Sequence, residues 1–288
     1  MENIEEKKYW IWFSKIKSIN VKNKIKLLQE FKTPRNIYYL RKKKLENCIF
    51  LKEFQIEELI NVKIENSVEK NIEYMIKNKI DIISIYDKEY PLILKNIYDP
   101  PISLYVKGNK KVLSNNSIAI VGCRDASNYG KEVAKYFAYN LSKRNVNIVS
   151  GLAKGIDSFA HFGTICAKGN TIAVVGNGLH TVYPKENTKL ANDILQNDGL
   201  IISEYPIGTN PEKINFPERN RIISGLSKAI IIVEAKRKSG ALITVDLALE
   251  QGRDVFSVPG DIDSVNSIGT NKLIKSGAKL ITSYKDII

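Results

Sequence analysis

The stretch IAIVGCR, residues 118–124, is a short β-rich apolar run that ends in a glycine and an arginine. Five similar runs follow, and a stretch with helical spacing separates each from the next. The six predicted strands are 118–121, 146–149, 171–175, 200–202, 229–233 and 255–258. The predicted helices lie near 129–144, 156–168, 187–197, 218–226, 241–251 and 270–276. This alternation predicts an α/β fold with an open, doubly wound, mostly parallel sheet, and 278–283 is a candidate for an added edge strand.

The first part of the chain has a different pattern. Apolar residues in 9–16 and 25–31 recur at helical spacing, and 17–24 connects them like the turn of a helix-hairpin-helix. Such a turn can contact nucleic-acid backbone; a plain helical packing module is the alternative. Prolines at positions 91, 100 and 101 separate this part from the strands. We therefore predict a helical domain over 1–80, a connecting segment over 81–115 packed on the second domain, and an α/β domain over 116–288.

The composition is that of a globular chain with an excess of positive charge. Of the 288 residues, 43% are hydrophobic and 26% charged, and the net charge is +13. This excess suits a polyanion partner, but an A/T-rich coding bias toward Lys, Ile and Asn also explains it. No apolar run approaches the roughly 20 residues of a membrane span, and the acidic N-terminus does not resemble a signal peptide, so the cytoplasm is the expected compartment. Three cysteines and two histidines without metal spacing predict neither a zinc site nor another cofactor.

Arginine is rare in this lysine-rich chain, and its positions are informative. Four of the eight arginines lie close to Gly, Pro or Asn at predicted element boundaries; they are Arg124, Arg219, Arg221 and Arg253. The planar guanidinium offers a fork of donors that lysine cannot imitate. These arginines are therefore candidates for phosphate or carboxylate binding, with salt bridges inside the fold as the alternative for each of them.

Small and polar residues follow the predicted strands. Gly122 and Arg124 follow the first strand, and Ser150, Gly151 and Lys154 follow the second. In open α/β sheets, ligands bind outside the carboxyl ends of the strands, where glycines let backbone N–H groups approach an anion. The sequence thus predicts a phosphate-binding site at this edge, which we call the rim.

Common catalytic motifs are absent from the rim. The dinucleotide-binding fingerprint GxGxxG begins at Gly176 and Gly178 but lacks its third glycine, since Thr181 stands in that place. Neither the P-loop motif GxxxxGK[ST] nor the nucleophile-elbow motif GxSxG occurs. Asp157 and His161 are spaced i,i+4 on a predicted helix. They are either an acid–base pair or, in the simpler interpretation, His161 caps or packs beneath the loop. A rim that binds phosphate without an obvious reactive group favours binding over catalysis.

The segment 213–221, KINFPERNR, supplies the chemistry that single-stranded nucleic acid requires. It combines Lys213 with an aromatic residue, Phe216, beside a proline. Cations hold the phosphates and aromatic faces stack with the bases; burial of Phe216 in the core is the alternative. Arg219 and Arg221 point in different directions on a helix. We expect one to face the ligand and the other to pair with an acid such as Glu204 or Glu234.

Motifs along most of the chain resemble the bacterial DprA family, also called Smf. The matching stretches cover about 90–280 and occur in a specific order; they include IAIVGCR (118–124), SGLAKGID (150–157), TIAVVGNGL (171–179), YPKEN (183–187), FPERNRIISGLS (216–227), SGALIT (239–244) and GRDVFSVPG (252–260). The N-terminal part matches only loosely the family's sterile-alpha-motif-like or helix-hairpin-helix domain.

The resemblance implies an extended Rossmann-like fold that binds single-stranded DNA without sequence preference. It also implies loading of the RecA recombinase during natural transformation, homodimers formed through the Rossmann-like domain, and no enzymatic activity. Carried over by motif, Arg124 is a main phosphate contact, Lys213 and Phe216 match the family's lysine and base-contacting aromatic, and Lys154 and Lys185 are further contacts. Gly122, Ser150, Gly151, Asn220 and the two arginines of 219–221 complete the predicted DNA-binding set.

The chain departs from the family pattern in several places. Cys123 replaces the usual small hydroxyl residue, and Val245 stands where alanine is common. The chain ends soon after the Rossmann-like part, so we expect the winged-helix-like C-terminal domain of many relatives to be absent. Two alternatives use the same rim: a nucleotide sensor, and an enzyme resembling phosphoribohydrolases that cleaves nucleoside monophosphates. The second alternative lacks the PGGxGTxxE motif, since 239–246 reads SGALITVD.

Overall fold

The computed structural model describes residues 4–62, 64 and 66–288. The described residues begin with six helices, namely α1 Ile4–Lys15, α2 Val21–Phe31, α3 Pro34–Tyr38, α4 Lys42–Glu46, α5 Glu53–Asn61 and α6 Asn66–Lys77. Side chains that accept hydrogen bonds from backbone N–H groups start two of them: Asn20 from Asn23 and Thr33 from Asn36. The apolar faces of α1 to α5 meet in a core that includes Trp12, Phe13 and Leu28. The predicted turn 17–24 therefore connects α1 to the start of α2.

The strands and helices that follow form one mixed sheet with helices on its two faces. The strands are β1 Ile80–Ser84, β2 Ser103–Gly108, β3 Ser117–Val121, β4 Asn147–Ser150, β5 Thr171–Val175, β6 Leu200–Ser203, β7 Ala229–Ile232, β8 Asp254–Ser257 and β9 Lys279–Leu280. The helices are α7 Leu92–Lys95, α8 Asn128–Ser142, α9 Ile156–Cys166, α10 Thr188–Gln196, α11 Asn215–Gly225, α12 Gly240–Glu250 and α13 Ile268–Lys275. The α/β prediction is confirmed, and its six strands and the edge strand β9 are all found.

The order of the strands locates a binding crevice. Among the described residues the sheet runs β1-β2-β6-β5-β4-β3-β7-β8-β9. The chain moves outward from β3 through β4, β5 and β6, then returns to place β7 on the other side of β3. All pairs from β6 to β9 are parallel. The order in which strands are added to the sheet therefore changes sides between β3 and β7. Such a position is a topological switch point, where ligands of open α/β sheets bind.

Two strands of the sheet were not predicted. β1 and β2 pair antiparallel with each other, and β2 pairs antiparallel with β6. β1 begins at the last residue of the predicted helical domain, and the rest of β1 and all of β2 lie inside the predicted connecting segment. The segment 81–115 therefore extends the sheet in addition to packing against it.

Each face of the sheet has its own apolar core. On one face, α8 and α9 cover Ile120, Ile148 and Ile231, with Phe137 of α8 fully buried. Burial of a side chain of this size contributes about 1.5–3 kcal/mol. On the other face, α7, α11 and α12 cover a larger cluster around Val149, Val174 and Ile232. Within the described part of the chain, no helix has the length and apolar character needed to cross a bilayer.

Candidate nucleic-acid interface

A pocket of about 560 Å³ opens at the switch point. Its walls come from the loop after β3, the loop after β4, the start of α11 and the start of α12, with Tyr183 at one side. Helix N-termini carry partial positive charge and free N–H groups, which favour anions. The pocket therefore lies where the rim was predicted, and its backbone suits a phosphate.

Several of the predicted site residues meet in this pocket. Gly122, Arg124, Lys213, Phe216 and Asn220 all line it. The Arg124 Cζ atom lies 5.4 Å from the centroid of the Phe216 ring, which is a cation–π distance. Arg124 and Lys213 are exposed, while Phe216 is half-buried. Phe216 thus presents a ring to the pocket beside a guanidinium group, and its assignment to the core alone is wrong.

Sequence reasoning missed part of the lining. Tyr183 stands beside Phe216 with ring centroids 5.5 Å apart and planes inclined by 37°. Lys236 and Lys238 contribute two further ammonium groups, and Ser239 caps α12 by accepting a hydrogen bond from the Ala241 amide. The cluster of two lysines before a capping serine at 236–239 is a signal that could have been used, since it precedes a helix at the rim.

The loop between β3 and α8 is held in place by Glu234. Its carboxylate accepts hydrogen bonds from the Ser127 hydroxyl and from the Ser127 amide, the latter at 3.0 Å. Gly122 is required here because a side chain would meet Ile156 at 2.6 Å and the Glu234 carbonyl at 2.9 Å. Of the two acids named as possible arginine partners, Glu234 is therefore the one that positions the loop that carries Arg124.

Arg219 does not face the ligand space. It is only 4% exposed and lies beneath Phe216, with its Cζ 6.0 Å from the ring centroid. Its Nη1 donates to the carbonyl of Gly151, at 2.8 Å, and to that of Val174. Burial lowers the pKa of the Arg219 guanidinium to about 10, although the nearby Asp157 carboxylate acts in the opposite direction.

Arg221 also points away from the pocket. It binds the Glu204 carboxylate at 2.7 Å and the Asp99 carboxylate at 3.2 Å. Burial alone lowers the pKa of this guanidinium, but Glu204 and Asp99 together raise it above its ordinary value. The expected pairing with Glu204 is present. The expectation that one of the two arginines reaches the ligand is corrected. Both side chains point away from the pocket and connect α11 to neighbouring parts of the fold.

Ser150 and Gly151 are buried below the pocket floor. The Ser150 hydroxyl donates to the Ile120 carbonyl at 2.7 Å, and the Gly151 amide donates to Asp157 Oδ2 at 3.1 Å. A side chain at Gly151 would approach both Arg219 and Asp157 to 2.7 Å. Neither residue offers a free donor to a phosphate, so their direct contact with DNA is corrected to support of the loop.

Lys154 and Lys185 are exposed on the rim, outside the pocket lining. The Lys154 ammonium lies 2.5 Å from Glu186, which is next to Lys185 in sequence. Because all three side chains are in solvent, this pair is weak and a phosphate can compete with it. The two lysines flank the pocket but are not part of it.

The Asp157–His161 pair is not an acid–base pair. His161 is fully buried, and its Nδ1 lies 2.7 Å from the Thr171 hydroxyl, which itself donates to the Ile148 carbonyl. The hydroxyl therefore accepts from His161 Nδ1–H. Burial, together with the charge of Arg219, lowers the pKa of His161 to about 3, so the imidazole is neutral. Burial also raises the pKa of Asp157, which is opposed by Arg219 and by the Gly151 and Ala153 amides. These residues pack beneath the loop.

The chain is similar to known proteins over most of its length. The family model described as DNA recombination-mediator protein A matches residues 81–288. The DNA processing protein DprA of Bacillus subtilis is 47% identical over 209 residues, which is 72% of this chain and 70% of the relative. The chain belongs to the DprA family. DprA of Streptococcus pneumoniae is likewise 47% identical over 210 residues, or 73% of this chain and 74% of that protein.

Solved structures agree with the sequence match. The crystal structure of S. pneumoniae DprA superposes with a TM-score of 0.83 at 35% identity, covering 100% of this chain and 97% of that one. A structure of Helicobacter pylori DNA processing protein A, described for its single-stranded DNA binding mode, has a TM-score of 0.66 at 32% identity, covering 73% of this chain and 94% of that one. The extended Rossmann-like fold is therefore that of the family.

Proposed function

We propose that this protein binds single-stranded DNA without sequence preference through the pocket at the switch point. The observation that carries the proposal is the convergence of Arg124, Lys213 and Phe216 on one pocket. Guanidinium and ammonium groups bind phosphates of any sequence, and an aromatic face stacks with any base. The H. pylori relative, whose structural description concerns single-stranded DNA, supports the proposal.

In this proposal the cations of the pocket bind phosphates and the aromatic residues bind bases. Arg124, Lys213, Lys236 and Lys238 hold consecutive phosphates, aided by the N-terminus of α12. Phe216 accepts a base on its exposed face, with Tyr183 beside it. Glu234 holds the backbone of the loop that carries Arg124, and Arg219 and Arg221 hold α11, so little backbone entropy is lost on binding.

The direct test is binding of a fluorescent thymidine oligonucleotide followed by anisotropy at several salt concentrations. We expect log K to fall with log[salt] with a slope of about −0.7 for each phosphate neutralised. Phe216→Ala lowers the affinity by about 1–3 kcal/mol if a base stacks on this ring. The matched control is Tyr98→Ala, an exposed aromatic outside the pocket. Absence of binding at low salt overturns the proposal.

We further propose that the protein loads RecA on the bound strand and acts as a homodimer in the cytoplasm, as the family resemblance implies. The short edge strand β9 leaves Leu280 exposed and is available for contact with another copy. Stimulation of RecA filament formation on strands coated with single-strand-binding protein tests the loading, and light scattering tests the dimer. A monomer at micromolar concentration contradicts the second proposal.

We propose no catalytic step. Asp125 and Asp157 are carboxylates of the pocket lining; the first pairs with Lys236 at 3.2 Å, and the second accepts hydrogen bonds from backbone amides. An enzyme that cleaves nucleoside monophosphates needs a carboxylate directed at the sugar. Incubation with a panel of nucleoside monophosphates tests the alternative, because release of free base would establish a hydrolase.

A further inference from the structure

The outer face of α8 and α9 carries a regular row of cations and aromatic rings. Lys131, Lys135 and Tyr139 of α8 and Lys143, which caps its C-terminus, follow one another at intervals of four residues. Each is therefore a surface neighbour of the next, and the row winds gradually around the helix. On α9, Phe159 and Phe162 share the side that faces them. We call these six residues the α8–α9 stripe.

Within the stripe, each cation stands beside a ring. The ammonium of Lys131 lies 5.9 Å from the Phe159 centroid, and that of Lys135 lies 5.7 Å from the Phe162 centroid. Further along, the ammonium of Lys143 lies 5.6 Å from the Tyr139 centroid. The two helices can approach this closely because Gly163 has no side chain: one would meet the Lys135 carbonyl at 2.6 Å. The packing of the helices thus sets the spacing of the pairs.

The rings of the stripe are accessible despite their size. Phe162 is 46% exposed and Tyr139 is 39% exposed. Lys131 and Lys143 form no ion pair with a described residue, and Lys135 reaches Glu132 only at 3.9 Å. Exposed rings that alternate with cations suit a partner that carries both aromatic groups and negative charge.

The stripe is continuous with the pocket. Helix α8 begins directly after the loop that carries Arg124, and Gly155, just before α9, packs against the backbone of Cys123 and Arg124. Lys131 and Phe159 are in the first turns of their helices and therefore lie next to the rim. At about 1.5 Å per residue, the stripe extends roughly 18 Å from Lys131 to Lys143.

We propose that a single strand held in the pocket continues over the 122–126 loop onto the α8–α9 stripe. Its phosphates contact Lys131, Lys135 and Lys143, and its bases stack on Phe162 and Tyr139. Alternating cations and aromatic faces are the chemistry that binds single-stranded nucleic acid without sequence readout. This inference rests on the proposed function of the pocket and extends it by a second segment of the binding path.

The test compares thymidine oligonucleotides of about 5 and about 20 nucleotides; site sizes of single-strand binding folds are about 4–16 nucleotides, so the first is near the smallest site and the second exceeds the largest. The variants Tyr139→Ala/Phe162→Ala and Lys135→Gln/Lys143→Gln change only partly or fully exposed side chains. We expect each to weaken binding of the long oligonucleotide about tenfold and to leave the short one within about twofold. The lysine variant should also reduce the salt slope for the long oligonucleotide by about 1.4, from two lost contacts.

A matched control is Lys22→Gln/Tyr98→Ala, another cation–ring pair, with 3.9 Å between the ammonium and the ring centroid. It should bind both lengths like the unchanged protein. If the unchanged protein binds neither length, the proposed function of the pocket fails. If it binds both and the stripe variants keep full affinity for the long one, the stripe proposal alone is overturned. An altered mass in light scattering with unchanged long-strand affinity would assign the stripe to contact between copies and also overturn it.

Discussion

The two parts of the chain carry nearly the same excess of charge but arrange it differently. Residues 1–110 have 22 basic and 15 acidic side chains, a net of +7, and residues 111–288 have 22 and 16, a net of +6. In the first part the run Arg41–Lys44 lies exposed on the surface, and Lys24 is buried. In the second part, four cations line one pocket. Net charge therefore does not identify a binding site, whereas convergence of the charges does.

The contrast extends to arginines that lie within one site. Arg124 is exposed beside Phe216, whereas Arg219 is buried beneath the same ring. The Arg124 guanidinium is available to a ligand, whereas the Arg219 guanidinium donates its hydrogen bonds to backbone carbonyls. Variants of Arg219 and Arg124 separate these two roles, and variants of the first part of the chain test whether that part contributes to DNA binding.

The largest effect is expected for Arg219→Ala. Removing this side chain leaves the Gly151 and Val174 carbonyls and the Asp157 carboxylate buried without their cation. A buried acceptor that loses its donor costs about 1–3 kcal/mol, so the loss of two such bonds should lower the unfolding free energy by roughly 2–6 kcal/mol. Urea denaturation measures the change, and Arg124→Ala is the control with unchanged stability. A stable Arg219→Ala protein with weakened DNA binding would instead place Arg219 in contact with the ligand.

A smaller effect, on binding alone, is expected for Arg124→Ala. A hydrogen bond from a charged group contributes about 1.5–3 kcal/mol, so the affinity for an oligonucleotide should fall roughly 10- to 150-fold. The urea midpoint should not move, since this side chain is exposed. Anisotropy at fixed salt gives the affinity. Equal losses for Arg124→Ala and for a lysine variant of the first part would mean that diffuse charge holds the strand.

Stability should also depend on pH through His161. The native imidazole has a pKa of about 3, and in the unfolded chain it returns to about 6.5. Below pH 6.5 the unfolded state therefore binds more protons than the folded state. The unfolding free energy decreases as the pH is lowered, by about 2 kcal/mol at pH 5 relative to neutral pH. His161→Gln should remove this part of the slope in urea denaturation. His180→Gln, which changes the other histidine, should leave it in place.

The parallel strands could be predicted because their signal is local. Each is a short β-rich run between helical stretches, and a buried parallel strand needs no further pattern. The antiparallel strands β1 and β2 were missed because they pair with each other and with β6, a partner far along the chain. Their proline-rich surroundings also indicated a connection instead of a strand.

The site, like the sheet, could be predicted where its signal is local and not where it depends on contacts between distant parts of the chain. Gly122 and Arg124 were predicted because the carboxyl ends of parallel strands meet at one edge, and Lys213 and Phe216 because a lysine and an aromatic residue lie close together in 213–221. The direction of Arg219 could not be read, since it depends on Gly151 and Asp157, which approach from another loop. Lys236 and Lys238 were missed because only the return of the chain to β7 brings their loop to the pocket, and Tyr183 because its contact with Phe216 joins two separate loops.

The smallest effect is expected for the exposed run of the first part. Lys43→Ala/Lys44→Ala removes two charges that lie in solvent, where salt at 0.15 M screens interactions beyond about 8 Å. At that ionic strength we expect the affinity for an oligonucleotide to change by less than about 0.5 kcal/mol, and more only at low salt. Anisotropy at the two salt concentrations measures both values. A loss at 0.15 M as large as that of Arg124→Ala would show that the helical domain contacts the strand directly, and the contrast between the two parts would then be wrong.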